Sequence, residues 1–346
     1  MELAAVRLAQ VRLAARAFVT ATSPSMVNMP RALLVLVAPL LSMASELPTV
    51  GFIGLGTMGG GMAVHLHERS MREHGKTALV YNRSPVKAQA HATAHGTVAV
   101  DTFDGLSGCD VLVLCLSTSA DVESVLSQVP IKQNALVIDC TSGEPEVSRR
   151  LHASLRDRCA ARFVDAPVSG GPKGAAAGSL TSMLGGDEAD CAAAMQWIEA
   201  WSSKVVRCGP SGAGDAVKAV NNVLNSAHVL LATEGMLALN SFGVEPSVAL
   251  DVINSASGRS LQTERLPDNI LSRKFAYGFA LELMRKDCGI AATLVNQETP
   301  DATLIPEVYR LLQAAEAELG GKVDYTEVAR FLERRGGKGL ELRAAA

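Results

Sequence analysis

From Thr49 to about Cys208 the chain alternates short, unbroken apolar runs with stretches of helical period, and that alternation leaves few folds open. The runs are Val50-Gly-Phe-Ile-Gly54, Thr77-Ala-Leu-Val-Tyr81, Val111-Leu-Val-Leu-Cys115, Ala135-Leu-Val-Ile-Asp139 and Arg162-Phe-Val-Asp165. A strand with one wet face alternates apolar and polar residues; strands covered on both faces are apolar throughout, as these are. The expectation is a parallel α/β sheet. Leu180-Thr-Ser-Met-Leu184 and Lys204-Val-Val-Arg207 would extend it at an edge. After Gly214 the strand signal stops, and helical periods cover Asp215 to Leu239, Pro246 to Ala256, Leu281 to Gln297 and Ile305 to Glu318.

The first run opens directly into Gly54-Leu55-Gly56-Thr57-Met58-Gly59, and a helical pattern follows from Met58 to Arg72. A GxGxxG cluster alone can mark an ordinary tight turn. Between a strand and a helix it aims backbone N–H groups and a helix N-terminus at a pyrophosphate. Gly54 permits the turn, Gly56 admits the phosphates and Gly59 lets helix and strand pack closely. The predicted architecture is therefore a Rossmann-type parallel sheet domain over 47–211, followed by an all-α domain over 212–335, joined by a long interdomain helix. Where the second strand ends, an NAD site would place an acid on the ribose 2′-hydroxyl, but this chain has Asn82-Arg83-Ser84. Losing that charge and gaining a guanidinium favours the 2′-phosphate of NADP over NAD. The alternative is a polar turn leading to Pro85.

Two later segments carry chemistry. In Asp165-Ala-Pro-Val-Ser169-Gly170-Gly171 a strand end runs into small residues whose N–H groups and hydroxyl can hold a carboxylate; a flexible connector would look the same. In Gly212 to Asn225, Lys218, Asn221, Asn222 and Asn225 fall three, four and seven residues apart and share one helical face. The other faces are almost wholly apolar through Leu231, so the helix reads as buried between domains, and its lysine and amides need a ligand, water or one another. A solvated polar stripe is the competing reading.

Composition narrows the classes. With 48% hydrophobic and 19% charged residues, a net charge of −3 and scattered basic residues, the chain has no electrostatic footprint for nucleic acid or an anionic membrane. Its seven cysteines lack CxxC pairs and histidine partners at metal spacing, so they read as reduced core thiols, with no metal site. Residues 1–46 read as a targeting peptide or disordered leader: between Glu2 and Glu46 there is no acid, while Arg7, Arg12, Arg16 and Arg31 punctuate Ala, Leu, Val and Ser. Mitochondrial import is the leading expectation, with plastid or endomembrane routing the alternative, the latter through Ala32 to Leu41 as a signal-peptide core. The charged end from Arg334, including a tail over 336–346, is expected to fray.

Four ordered segments resemble the β-hydroxyacid dehydrogenase family: Gly54 to Gly59 with Met62, Asp165 to Gly171, Gly212 to Asn222, and Lys286-Asp287 within Leu283-Met-Arg-Lys-Asp-Cys-Gly289. The resemblance spans roughly Thr49 to Leu332. It implies that Lys218 is the catalytic lysine and that Ser169, Gly170, Gly171, Asn221 and Asn222 hold a substrate carboxylate. It also assigns Leu116, Ser117, Ser142 and Lys286 to the cofactor side. The implied reaction interconverts a short-chain 3-hydroxy acid and its semialdehyde, as in 3-hydroxyisobutyrate dehydrogenases of valine breakdown, with glyoxylate or succinic semialdehyde reductases as the NADPH-dependent alternative. Asn82-Arg83 is similar to the reductases, Phe279 to Met284 to the hydroxyisobutyrate branch. Ser257 to Ser260 and Tyr277 to Ala280 would border the substrate end. Asn221 stands where 6-phosphogluconate dehydrogenases carry histidine, which argues against a sugar phosphate, and His65 stands where the family usually has asparagine. A homodimer or homotetramer is implied. A non-catalytic dinucleotide-binding scaffold is the reading from another class, and the presence of Lys218 speaks against it.

Overall fold

Alternate residues of each buried strand serve opposite faces of one sheet, so the runs are apolar throughout. Val50, Phe52, Val113 and Ile138 pack with Met62 and Leu66 on one side, while Ile53, Leu112, Leu114 and Val137 pack with Val122, Leu126 and Leu155 on the other. The computed structural model describes residues 47–336 and 341–343. The expected leader over 1–46 lies outside the described residues.

The sheet half runs β1 (Val50–Ile53), α1 (Gly59–His74), β2 (Leu79–Tyr81), α2 (Pro85–His95), β3 (Val98–Ala99), β4 (Val111–Leu114), α3 (Ser119–Gln128), β5 (Leu136–Asp139), α4 (Pro145–Cys159) and β6 (Arg162–Asp165). It continues through β7 (Val168–Ser169), α5 (Gly171–Ala177), β8 (Leu180–Gly185), α6 (Glu188–Ile198) and β9 (Ser202–Gly209). The strand order is β3-β2-β1-β4-β5-β6-β8-β7, with β9 on β8. The first six strands are parallel in the order of a dinucleotide-binding sheet, with the order reversing between β1 and β4. The sheet is not parallel throughout: β8 runs antiparallel to β6 and β7. The short β7–α5 connection folds back along the edge instead of crossing over, and a hairpin-like return forces antiparallel pairing.

The helical half contains α7 (Ala213–Phe242), α8 (Pro246–Asn254), α9 (Leu261–Leu266), a π-helical turn (Pro267–Leu271), α10 (Leu281–Glu298), α11 (Leu304–Leu319) and α12 (Val328–Gly336). Val223, Leu230, Met284, Cys288, Leu312, Tyr325 and Phe331 share its core. Gly212 starts α7 and Gly243 ends it, both left-handed, and 30 residues give a rod about 45 Å long. Of the end expected to fray from Arg334, residues 337–340 and 344–346 lie outside the described residues. Arg334 and Arg335 belong to α12, and the fully buried Leu342 donates its N–H to Glu333 at 2.9 Å. Arg273 pairs with the same carboxylate. The apolar face of α12, Val328, Phe331 and Leu332, draws the charged end inward.

Candidate active site

The glycine turn is made of backbone alone. Gly54 sits at φ +100, and a Cβ there would lie 2.3 Å from Cys115 O, so only glycine fits. A Cβ on Gly59 would lie 1.9 Å from Gly54 O, which is the close packing of α1 on β1. At Gly56 a Cβ meets nothing within 4 Å. The N–H groups of Gly56, Thr57 and Met58 have no protein acceptor among the described residues. Unpaired donors beside an open glycine at a helix N-terminus form a cradle that fits a pyrophosphate.

Around the turn, Leu55 N–H donates to Asn82 Oδ1 at 3.0 Å, and Asn82 Nδ2 donates to Ser84 O at 3.2 Å. Asn82 thus ties the turn to the end of β2. Ser84 precedes Pro85 at the start of α2. Arg83 is exposed and makes no ion pair among the described residues, leaving its guanidinium available.

The opposite wall comes from the ends of β4 and β5. Leu116 N–H donates to Thr141 Oγ1 at 3.0 Å, joining those strand ends. Lys286, from α10, then donates to Ser117 O at 3.1 Å and Ser142 O at 2.6 Å. Three residues assigned to the cofactor side by resemblance are therefore in direct contact.

On α7, Lys218 and Asn222 are buried, while Asn221 and Asn225 are partly so. Asn221 Nδ2 donates to Asn222 Oδ1 at 3.1 Å, and Asn222 Nδ2 donates to Asp287 Oδ2 at 2.6 Å. Gln262 and Tyr325 both donate to Asn225. The amides of the polar stripe find their partners within the protein. The helix is not covered all round, however, because Val217, Leu224 and Leu231 stand exposed on its other side. Burial pulls the Lys218 pKa below the ordinary lysine value; Asp287 opposes that shift and Lys286 adds to it.

Asp287 belongs to the Lys286-Asp287 segment of the family resemblance, which gives it no role of its own. It is buried, and its Oδ1 lies 3.0 Å from Lys286 Nζ without hydrogen-bond geometry. Its signal was an acid at the spacing of Met284, Cys288 and Ala291, all buried on α10.

Ser169 belongs to β7, paired with Thr181, and Gly171 opens α5, so this segment is a strand-turn-helix rather than a flexible connector. No hydrogen bond joins Ser169, Gly170 or Gly171 to Lys218 or Asn222 among the described residues. The segment is reached from the helical half at Gly278, where a Cβ would lie 3.8 Å from Pro172 Cγ. Gly278 N–H is held by Asp324 Oδ2 at 2.7 Å. His65 packs: its Nε2 lies 3.1 Å from Ala176 O. All seven cysteines are free, and burial pushes the Cys115 thiol up to about 12. Among the described residues no cluster suits a metal ion, and no helix is long and apolar enough to cross a membrane.

Residues 49–209 match the NAD binding domain of 6-phosphogluconate dehydrogenase, and residues 212–332 match the NAD-binding family of NADP-dependent 3-hydroxyisobutyrate dehydrogenase. The chain is 31% identical over 306 residues to the mitochondrial 3-hydroxyisobutyrate dehydrogenase of Homo sapiens, covering 84% of this chain and 88% of that one. It is 32% identical over 278 residues to the NAD-dependent L-serine dehydrogenase of Pseudomonas aeruginosa, covering 76% and 91%. The structure of Mycobacterium tuberculosis 3-hydroxyisobutyrate dehydrogenase with L-serine superposes with a TM-score of 0.74 at 28% identity, covering 83% and 99%. A dinucleotide cradle and a buried lysine, on a chain alike from Thr49 to Leu332, make this protein a member of the NAD(P)-dependent β-hydroxyacid dehydrogenase family.

Proposed function

We propose that the chain interconverts a short-chain 3-hydroxy acid and its semialdehyde, with 3-hydroxyisobutyrate as the favoured substrate. The observation that carries this reading is Lys218, buried on α7 beside Asn222 and Asp287 and within the field of Lys286. When bound, the nicotinamide supplies the hydride acceptor or donor. Lys218 handles the proton: neutral, it takes one from the substrate hydroxyl; charged, it polarises the carbonyl and returns the proton as an alkoxide develops. Burial lowers its pKa and so favours the base role nearer neutrality. Asn222, its amide oriented by Asp287, and the Ser169-Gly170-Gly171 segment hold the substrate carboxylate, with Asn221 behind Asn222. The cofactor is held by Gly54 to Gly59, by Asn82, Arg83 and Ser84, and by Leu116, Ser117, Ser142 and Lys286.

Unpaired Arg83 at the end of β2 supports NADP over NAD. The same residue favours a second reading, an NADPH-dependent reductase of glyoxylate or succinic semialdehyde. Steady-state kinetics of the purified chain, crossing NAD and NADP with 3-hydroxyisobutyrate, L-serine, glyoxylate and succinic semialdehyde, decides. Highest kcat/KM for 3-hydroxyisobutyrate is expected; an aldehyde turned over far better with NADPH would install the reductase. Absence of turnover with tight cofactor binding would instead support a non-catalytic scaffold.

Exposed Val217, Leu224 and Leu231 recur every seven residues along α7, 44%, 51% and 67% exposed. Such a row supports self-association into a dimer or tetramer. Light scattering of Leu231→Glu against the wild type tests it, with a smaller particle expected. The arginine-punctuated leader, without an acid between Glu2 and Glu46, supports mitochondrial import, which a leader-dependent fluorescent fusion would show.

A further inference from the structure

One peptide unit in the cofactor-side wall is gripped at both ends. The carbonyl of Ser142 accepts from Lys286 Nζ at 2.6 Å, and the N–H of Gly143, in that same peptide plane, donates to Asp215 Oδ1 at 3.0 Å. A cation from α10 thus holds the negative end of the peptide dipole, and a carboxylate from α7 the positive end. Asp215 is 1% exposed, and its other oxygen accepts from Ser148 Oγ on α4 at 2.7 Å. Its backbone N–H is itself held by Asp165 Oδ2 at 3.2 Å, at the end of β6. No cation pairs with Asp215 among the described residues, and burying such a carboxylate is costly unless its acceptors are used. Here both oxygens are used, and one of them fixes a peptide of the wall.

We infer that Asp215 is a positioning residue that clamps the Ser142–Gly143 peptide and so keeps the cofactor-side wall in register with Lys218, one helical turn further along α7. The inference rests on the reading of this wall as the cofactor site. Lys286 alone leaves the peptide free to swing about its carbonyl. Asp215 removes that freedom, and because Asp215 and Lys218 are three apart on one rigid helix, the wall and the proton-transferring amine move together. A side chain on Gly143 would crowd the clamp, since a Cβ would stand 3.1 Å from both Asp215 Oδ2 and Ser119 Oγ.

The test uses the full chain, with two variants at Asp215 and one at Gly143. Cofactor dissociation constants are read from reduced-cofactor fluorescence, beside kcat, KM and the thermal midpoint. Asp215→Ala is expected to weaken cofactor binding about tenfold, the scale of a buried donor left without its acceptor, with substrate KM within about twofold. Asp215→Asn keeps an oxygen for Gly143 and is expected to restore binding to within about threefold. Should Asp215→Ala fail to fold, Gly143→Ala carries the test and is expected to weaken cofactor binding without moving the thermal midpoint. Wild type binding neither dinucleotide overturns the underlying reading. Wild type binding while folded Asp215→Ala, or Gly143→Ala in its place, binds equally well overturns the clamp alone.

Discussion

The glycine turn and the polar face of α7 are built by opposite means. The turn is backbone: its donors are N–H groups, its shape comes from missing side chains, and Gly56 opens onto empty space. The face of α7 is side chain: Lys218 and Asn222 are buried, and Asn222 is oriented by Asp287. A backbone cradle recognises any pyrophosphate and cannot choose a reaction, whereas a buried amine can move a proton but cannot hold a dinucleotide. Binding and chemistry should therefore fail separately when each is damaged.

The sharpest break is at Lys218. Lys218→Ala is expected to lower kcat by about 1,000-fold, the middle of the range for a lost general acid–base, while cofactor binding measured by fluorescence stays intact. Equal loss of both would erase the distinction between the two sides. Next come the glycines. Gly59→Ala forces a Cβ onto Gly54 O and is expected to destabilise the fold by roughly 1–3 kcal/mol in urea denaturation. Gly56→Ala is expected to leave stability unchanged and to weaken cofactor binding instead. Arg83→Ala is expected to reduce the preference for NADP over NAD about tenfold, as one charge-assisted contact would; an unchanged ratio removes Arg83 from the cofactor.

The smallest effect is on pH. Lysine is a base only when neutral, so a lowered pKa moves the rising limb of the oxidation rate to lower pH than an ordinary lysine would give. For stability, the folded state must bury the charge below that pKa, and the cost is relieved as pH rises through it toward the unfolded value. Lys218→Met is thus expected to show a higher thermal midpoint than wild type near neutrality, the gap closing as pH rises. A gap that widens would contradict the burial of a charged amine.

What the sequence disclosed followed from how much chain carries each signal. Phe52, Val113 and Ile138 announce a two-faced sheet because every residue of their strands is apolar. Two-residue strands such as Val98–Ala99 and Val168–Ser169 are too short to show any period, and the reversed direction of β8 leaves no mark in composition. At the site, glycines and a lysine on an apolar helix were legible. The roles of Asp287 and Asp215 were not, since an acid inside α10 reads as a solvated charge and one in the first turn of α7 as an ordinary partner of the helix dipole. Only tertiary contact shows the first orienting Asn222 and the second holding Gly143. Asn82 was legible as polar, but its bond to Leu55, which shapes the turn, was not.

The unbroken run of α7 also makes the helix a ruler. Asp215, Lys218, Asn222 and Asn225 are spaced along a single element with no joint between them. One residue added after Asp215 would turn everything downstream by about 100° and carry Lys218 off the cleft, while the fold could still form on either side. One residue added beyond Gly243, where the helix has ended, turns nothing that the site uses. Insertions and deletions, not substitutions, are what this stretch of chain is least able to absorb.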